Sequence, residues 1–85
     1  MRDKTQVAAL VRQTIATALG APVNLAENKR QTEDPRWDSM KHVEIILMLE
    51  EAFGIVLDPE DFAEMTSVES CIARVNAHLE RQAPR

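Results

Sequence analysis

Two side chains could do chemistry together. Ser39 and His42 lie three residues apart in the stretch WDSMKHVEII, a spacing that puts both on one side of a helix. A serine hydroxyl beside an imidazole is the beginning of a nucleophile and its base. Catalysis would also need an orienting acid, an oxyanion hole and a pocket, and a chain of 85 residues offers little room for them. His42 reads better as a partly buried side chain packed beside Trp37. Cys71 is the sole cysteine, so an internal disulfide is excluded and a thiolate metal site is disfavoured. In the helical-looking context SCIAR it reads as a small core residue rather than a reactive thiol. The acidic stretch LDPEDFAEM lacks the spaced D-x-D-x-D-G ligands of a calcium loop.

The elements that must hold Ser39 are helical. Hydrophobic residues make up 45% of the chain and aromatic ones only 4%, so the core is built from aliphatic side chains. Few glycines, and no alternation of β-branched with polar residues, favour an all-α domain. Length predicts a single domain over 1–85, read as a monomer. The first helix is expected over about Lys4 to Leu19, with Val7, Leu10, Val11, Ile15, Ala18 and Leu19 on its inner face and Gly20 as its stop. A loop of nearly 20 residues follows, long for a small domain. Val23, Leu25 and Trp37 are expected to pin it, with Trp37 as a core plug. The second helix runs from Ser39 to Phe53 with Asp38 as N-cap, and Gly54 ends it. Asp58 caps a short third helix with Pro59 at its first position. A fourth begins in TSVES, capped by Thr66 or Ser67, and Thr66 with Glu69 has capping-box spacing. Val68, Ile72, Val75 and Leu79 form its inner face, and the tail RQAPR is expected to fray.

The second helix carries two apolar stripes. With about 100° per residue, His42, Ile45, Ile46, Leu49, Ala52 and Phe53 share one side. Met40, Val43 and Leu47 share the other, bordered by Glu44 and Glu51, while Glu50 lies near Ser39. Either both stripes are buried, or the second is a recognition surface rimmed by charge. The acidic border favours the second reading, because buried faces rarely carry unpaired carboxylates at their edge.

Charge narrows the partners. The net charge is −4, and no Lys or Arg occurs between Lys41 and Arg74. Such a half-chain argues against nucleic-acid binding. It suits docking onto basic protein patches, or equally a solvated face that aids solubility. No apolar run is long enough to span a membrane, and the N-terminus lacks a signal-peptide core, so a cytoplasmic location is expected.

Asp38-Ser39-Met40 at a helix start, then VEIILMLEEAFGI, the acidic connector DPEDFAEM and the helix start TSVESCIARV together resemble the acyl carrier protein family over roughly residues 4 to 80. The tripeptide alone is a weak signal, but the ordered set is specific. The resemblance implies a four-helix bundle with a long first loop and a short third helix. It implies a non-catalytic carrier that holds acyl groups as thioesters on a 4′-phosphopantetheine arm. By the resemblance a phosphopantetheinyl transferase attaches that arm to Ser39, beside Asp38. Met40, Lys41, Val43, Glu44, Leu47, Glu50 and Glu51 would face partner enzymes: an acyl-loading ligase, an acyltransferase or a ketosynthase with a basic docking surface. A hydroxyl at a helix N-terminus also suits a phosphate on physical grounds, since backbone N–H groups and the helix dipole point at it. Two features depart from the family pattern. Arg36-Trp37 stands where Gly-Ala or Gly-Leu is common, and Lys41 where housekeeping members usually have an acid. The resulting WDSxxH pattern looks like specialised bacterial carriers of lipid or secondary-metabolite pathways. Two alternatives remain at this level: an aminoacyl or peptidyl carrier, and a small helical interaction module without a prosthetic group.

Overall fold

A computed structural model describes residues 4–20 and 30–82. Its helices are α1 (Lys4–Leu19), α2 (Ser39–Phe53), α3 (Pro59–Glu64) and α4 (Val68–Gln82), with a 3-10 turn over Gln31–Glu33. Among the described residues there is no strand. The expected all-α bundle with a short third helix is what forms. Val23 and Leu25, expected to pin the long loop, lie outside the described residues.

The ends of α1 and α2 follow local chemistry. Gly20 takes φ 69° and Gly54 φ 65°, the left-handed conformation that closes a helix at least cost in glycine. Asp38 caps α2, its carboxylate accepting the Lys41 N–H at 2.8 Å. The α3 start is a reciprocal box. Asp58 accepts from the Asp61 N–H, Asp61 accepts from the Asp58 N–H, and Pro59 occupies the first turn. At α4 the cap is Ser67, one of the two expected, and it pairs with Ser70 in place of the Thr66–Glu69 box. Each N–H donates to the other's hydroxyl at 3.0 Å, and the Ser67 carbonyl accepts the Cys71 N–H. Starting at Val68 buries Val68, Cys71 and Val75 together, so packing selects between two overlapping cap signals. α4 includes Arg81 and Gln82, and the rest of the tail expected to fray, residues 83–85, lies outside the described residues.

α1 packs along both α2 and α4. The core holds Val7, Val11 and Ile15 from α1, Ile45, Ile46 and Leu49 from α2, Met65 from the α3–α4 connection, and Val68, Cys71 and Val75 from α4. Trp37 is 2% exposed, which makes it the plug expected of it. Burial pushes the Cys71 thiol up to about 12, so it stays protonated and inert as a core residue. Ahead of α2 the chain is pinned to the start of α4: the Gln31 N–H donates to the Thr66 carbonyl at 2.7 Å, beside a bridge between Arg30 and Ser67.

Candidate functional site

The head of α2 is assembled from three directions. Before it, the Asp34 carboxylate accepts the Arg36 N–H at 3.0 Å, Nε at 2.9 Å and a terminal guanidinium nitrogen at 2.7 Å. This clasp folds the turn, and Asp34 holds the Arg36 guanidinium above its ordinary value. The Trp37 N–H then donates to the Asp34 carbonyl at 2.9 Å. Next comes Asp38 as cap, and Ser39 stands exposed as the first residue of the helix. The N–H groups of Ser39 and Met40 belong to the first turn, where no carbonyl of the helix reaches them.

His42 is not the base of a Ser–His pair. The Trp37 indole N–H donates to His42 Nδ1 at 3.0 Å. Indole nitrogen is a donor only, so Nδ1 is the acceptor and the proton sits on Nε2. Nε2 lies 2.8 Å from the Phe62 carbonyl, to which it donates. Both ring nitrogens are engaged away from Ser39, and the catalytic option of the sequence falls with them. The packing of His42 beside Trp37 is as expected, with ring centroids 6.1 Å apart. The bond to Phe62 was not legible, because its acceptor is a backbone carbonyl 20 positions away.

The second stripe lies open. Met40 is 83% exposed, Val43 47% and Leu47 56%, whereas Ile45, Ile46 and Leu49 are fully buried. Met40, Val43 and Leu47, together with Asp38, Lys41, Glu44, Met48 and Glu51, line an open groove of about 570 Å³, with Asp38 and Met40 the chain neighbours of Ser39. Met48 joins it, although the sequence periodicity assigns it to neither stripe. Lys41 Nζ lies 2.8 Å from a Glu44 carboxylate oxygen, so these two charges meet over the first turns of the groove. Glu50 departs from expectation. It does not line the groove; its carboxylate accepts the buried Leu57 N–H at 2.7 Å. Its carbonyl accepts from Gly54 and, at 3.2 Å, from Ile55. Glu50 thus holds the α2–α3 connection rather than the groove's rim.

A family model described as a phosphopantetheine attachment site matches residues 9–75. The chain belongs to that family. The fold is also similar to the solution NMR structure of a holo acyl carrier protein from Geobacter metallireducens, with a TM-score of 0.78 over 89% of this chain and 88% of that one, at 17% sequence identity. The protein is therefore a non-catalytic carrier of acyl-carrier fold, and its prosthetic group is 4′-phosphopantetheine. The head of α2 suits such a group: it offers an exposed hydroxyl, unengaged first-turn N–H groups and the positive end of a 15-residue helix. Ser67 and Ser70, the other two serines, bond to each other within the α4 cap. No helix among the described residues is long and apolar enough to cross a membrane.

Proposed function

We propose that Ser39 carries the 4′-phosphopantetheine arm and that the groove of α2 presents the loaded arm to enzymes of a specialised acyl pathway. One observation carries the reading: the exposed Ser39 at the head of α2 stands between Asp38 and Met40, two residues that line the exposed apolar groove. When bound, the arm supplies a terminal thiol that holds an acyl group as a thioester. The chain's own residues do the rest by position. Asp38 fixes the first turn, so the Ser39 hydroxyl faces solvent where a phosphopantetheinyl transferase reaches it. Met40, Val43 and Leu47 supply apolar contact for each partner, and Glu44 and Glu51 supply charge for its basic surface. Tethering then raises the local concentration of the cargo at the partner's active site.

The specialised pathway is inferred from Lys41 and the WDSxxH pattern. A cation beside the attachment residue opposes partner surfaces selected for an acid there. A ligase, acyltransferase or ketosynthase matched to this carrier is the partner class that fits.

The test is intact mass after co-expression with a broad-specificity phosphopantetheinyl transferase. The wild-type chain gains the mass of the arm. Ser39→Ala gains nothing, with its helical circular dichroism unchanged. Addition of the arm to Ser39→Ala would show that attachment lies elsewhere.

A further inference from the structure

His42 joins three separate pieces of the molecule. It sits one turn inside α2, on the core side beneath Ser39. Its Nδ1 takes the indole proton of Trp37, from the turn that leads into the helix. Its Nε2 donates to the Phe62 carbonyl of α3. These three pieces, the turn before α2, its first turn and α3, surround the attachment end. The nearby charges are committed elsewhere: Asp34 to Arg36, Asp38 to the Lys41 N–H, and Asp61 to His78 and Arg74. Two neutral partners therefore fix the imidazole in a single tautomer, and that tautomer fixes the spacing between Trp37 and α3.

We propose that His42 is a positioning residue: a neutral Nε2–H imidazole that bolts Trp37 and the α3 backbone to the first turn of α2, so that Ser39 and the mouth of the groove are held in one orientation toward a modifying enzyme. The bolt rests on the reading of Ser39 as the attachment residue for its functional consequence, but not for its geometry. Removing the imidazole leaves a buried indole N–H and a carbonyl without partners. The turn before Ser39 and α3 then shift relative to the helix head. An enzyme docking there meets a less ordered surface, which weakens encounter without touching the reacting hydroxyl.

A glutamine is the discriminating replacement, because its amide oxygen accepts and its nitrogen donates, as the neutral imidazole does. Steady-state modification by a phosphopantetheinyl transferase with coenzyme A is measured for wild type, His42→Gln, His42→Leu and Trp37→Phe, each checked for folding by circular dichroism. His42→Leu, which removes both hydrogen bonds, is expected to raise KM for the carrier about five- to tenfold, with kcat little changed. His42→Gln returns KM close to the wild-type value. If His42→Leu does not fold, Trp37→Phe, which deletes the indole donor together with part of a buried ring, carries an expected rise in the same direction, and His42→Gln remains the check on packing. Long-range proton–nitrogen NMR of the wild-type imidazole should show the Nε2–H tautomer. A folded His42→Leu with wild-type KM, or Gln and Leu equally impaired, would overturn the positioning role. An Nδ1–H tautomer would overturn the bolt itself. A wild-type chain with the expected tautomer that no transferase modifies would leave the bolt standing and overturn both the Ser39 reading and the consequence drawn from it.

Discussion

Single side chains at this site divide into those that face the groove and those that only look as if they do. Glu50 is of the second kind. Its carboxylate satisfies the N–H of Leu57, which is 5% exposed, and its carbonyl gathers two more loop N–H groups. Glu50→Ala strands a buried donor and is expected to cost about 1–3 kcal/mol in urea unfolding. Glu50→Gln keeps an acceptor there and should stay near wild type in both stability and partner binding. Equal loss of partner binding in the two variants would instead mark Glu50 as a docking acid. Lys41 is of the first kind. Its pair with Glu44 is exposed on both sides, so it contributes little to stability. What it changes is the charge offered beside Ser39. Lys41→Glu replaces a paired cation with a free anion and also frees Glu44. Loading by a housekeeping fatty-acid ketosynthase or transferase should improve in this variant, most at low ionic strength, where screening is weakest. No change at either salt concentration would show that position 41 does not face the partner.

At the scale of elements, α2 answers to two surfaces at once, and stability measurements separate them. Leu49 is fully buried between helices and Leu47 is more than half exposed on the groove. Leu49→Ala should therefore cost about 2–5 kcal/mol. Leu47→Ala should stay within roughly 0.5 kcal/mol of wild type, while weakening partner binding. Equal shifts in urea midpoint would mean that both stripes are covered. The bounds of α1 and α2, the Asp38 and Asp58 caps and both stripes were legible because each rests on signals within a few residues: apolar periodicity, a capping carboxylate, a closing glycine. At α4 Ser67 was one of two legible cap candidates, but the choice between Thr66–Glu69 and Ser67–Ser70, one residue apart, was not legible, since core packing decides it. The bonds from His42 to Phe62 and from Glu50 to Leu57 were not legible either. Each ends on a backbone group, and every residue but proline carries the same donor and acceptor there. The sequence thus exposed the face of the site but not the struts behind it.

Across the whole molecule, α3 is the element with the least chain to hold it, six residues between two connections. Its attachment to α4 is electrostatic. The Asp61 side chain is 4% exposed and its carboxylate lies 2.8 Å from His78 Nε2 and 3.3 Å from an Arg74 guanidinium nitrogen, while Arg74 also reaches Glu64 at 3.3 Å. Burial by itself would raise the Asp61 carboxyl. The Asp58 backbone N–H, the hydrogen bond from His78 and its charge outweigh that, and hold Asp61 below its ordinary value. A carboxylate lowered in this way stabilises the folded state above its unfolded value of about 3.9. That contribution is lost as pH falls through the lower folded value. Wild type should therefore lose stability on acidification below about pH 4, partly through this cluster. Asp61→Asn leaves His78 and Arg74 facing a neutral group, and should lower stability near neutral pH by on the order of 3 kcal/mol. Its remaining loss between neutral pH and pH 3 should be smaller than that of wild type, because the variant has no Asp61 proton to take up. Thermal melts of both proteins at pH 7, 4 and 3 read this directly. Parallel curves, with the same offset at every pH, would mean that Asp61 does not couple protonation to the docking of α3.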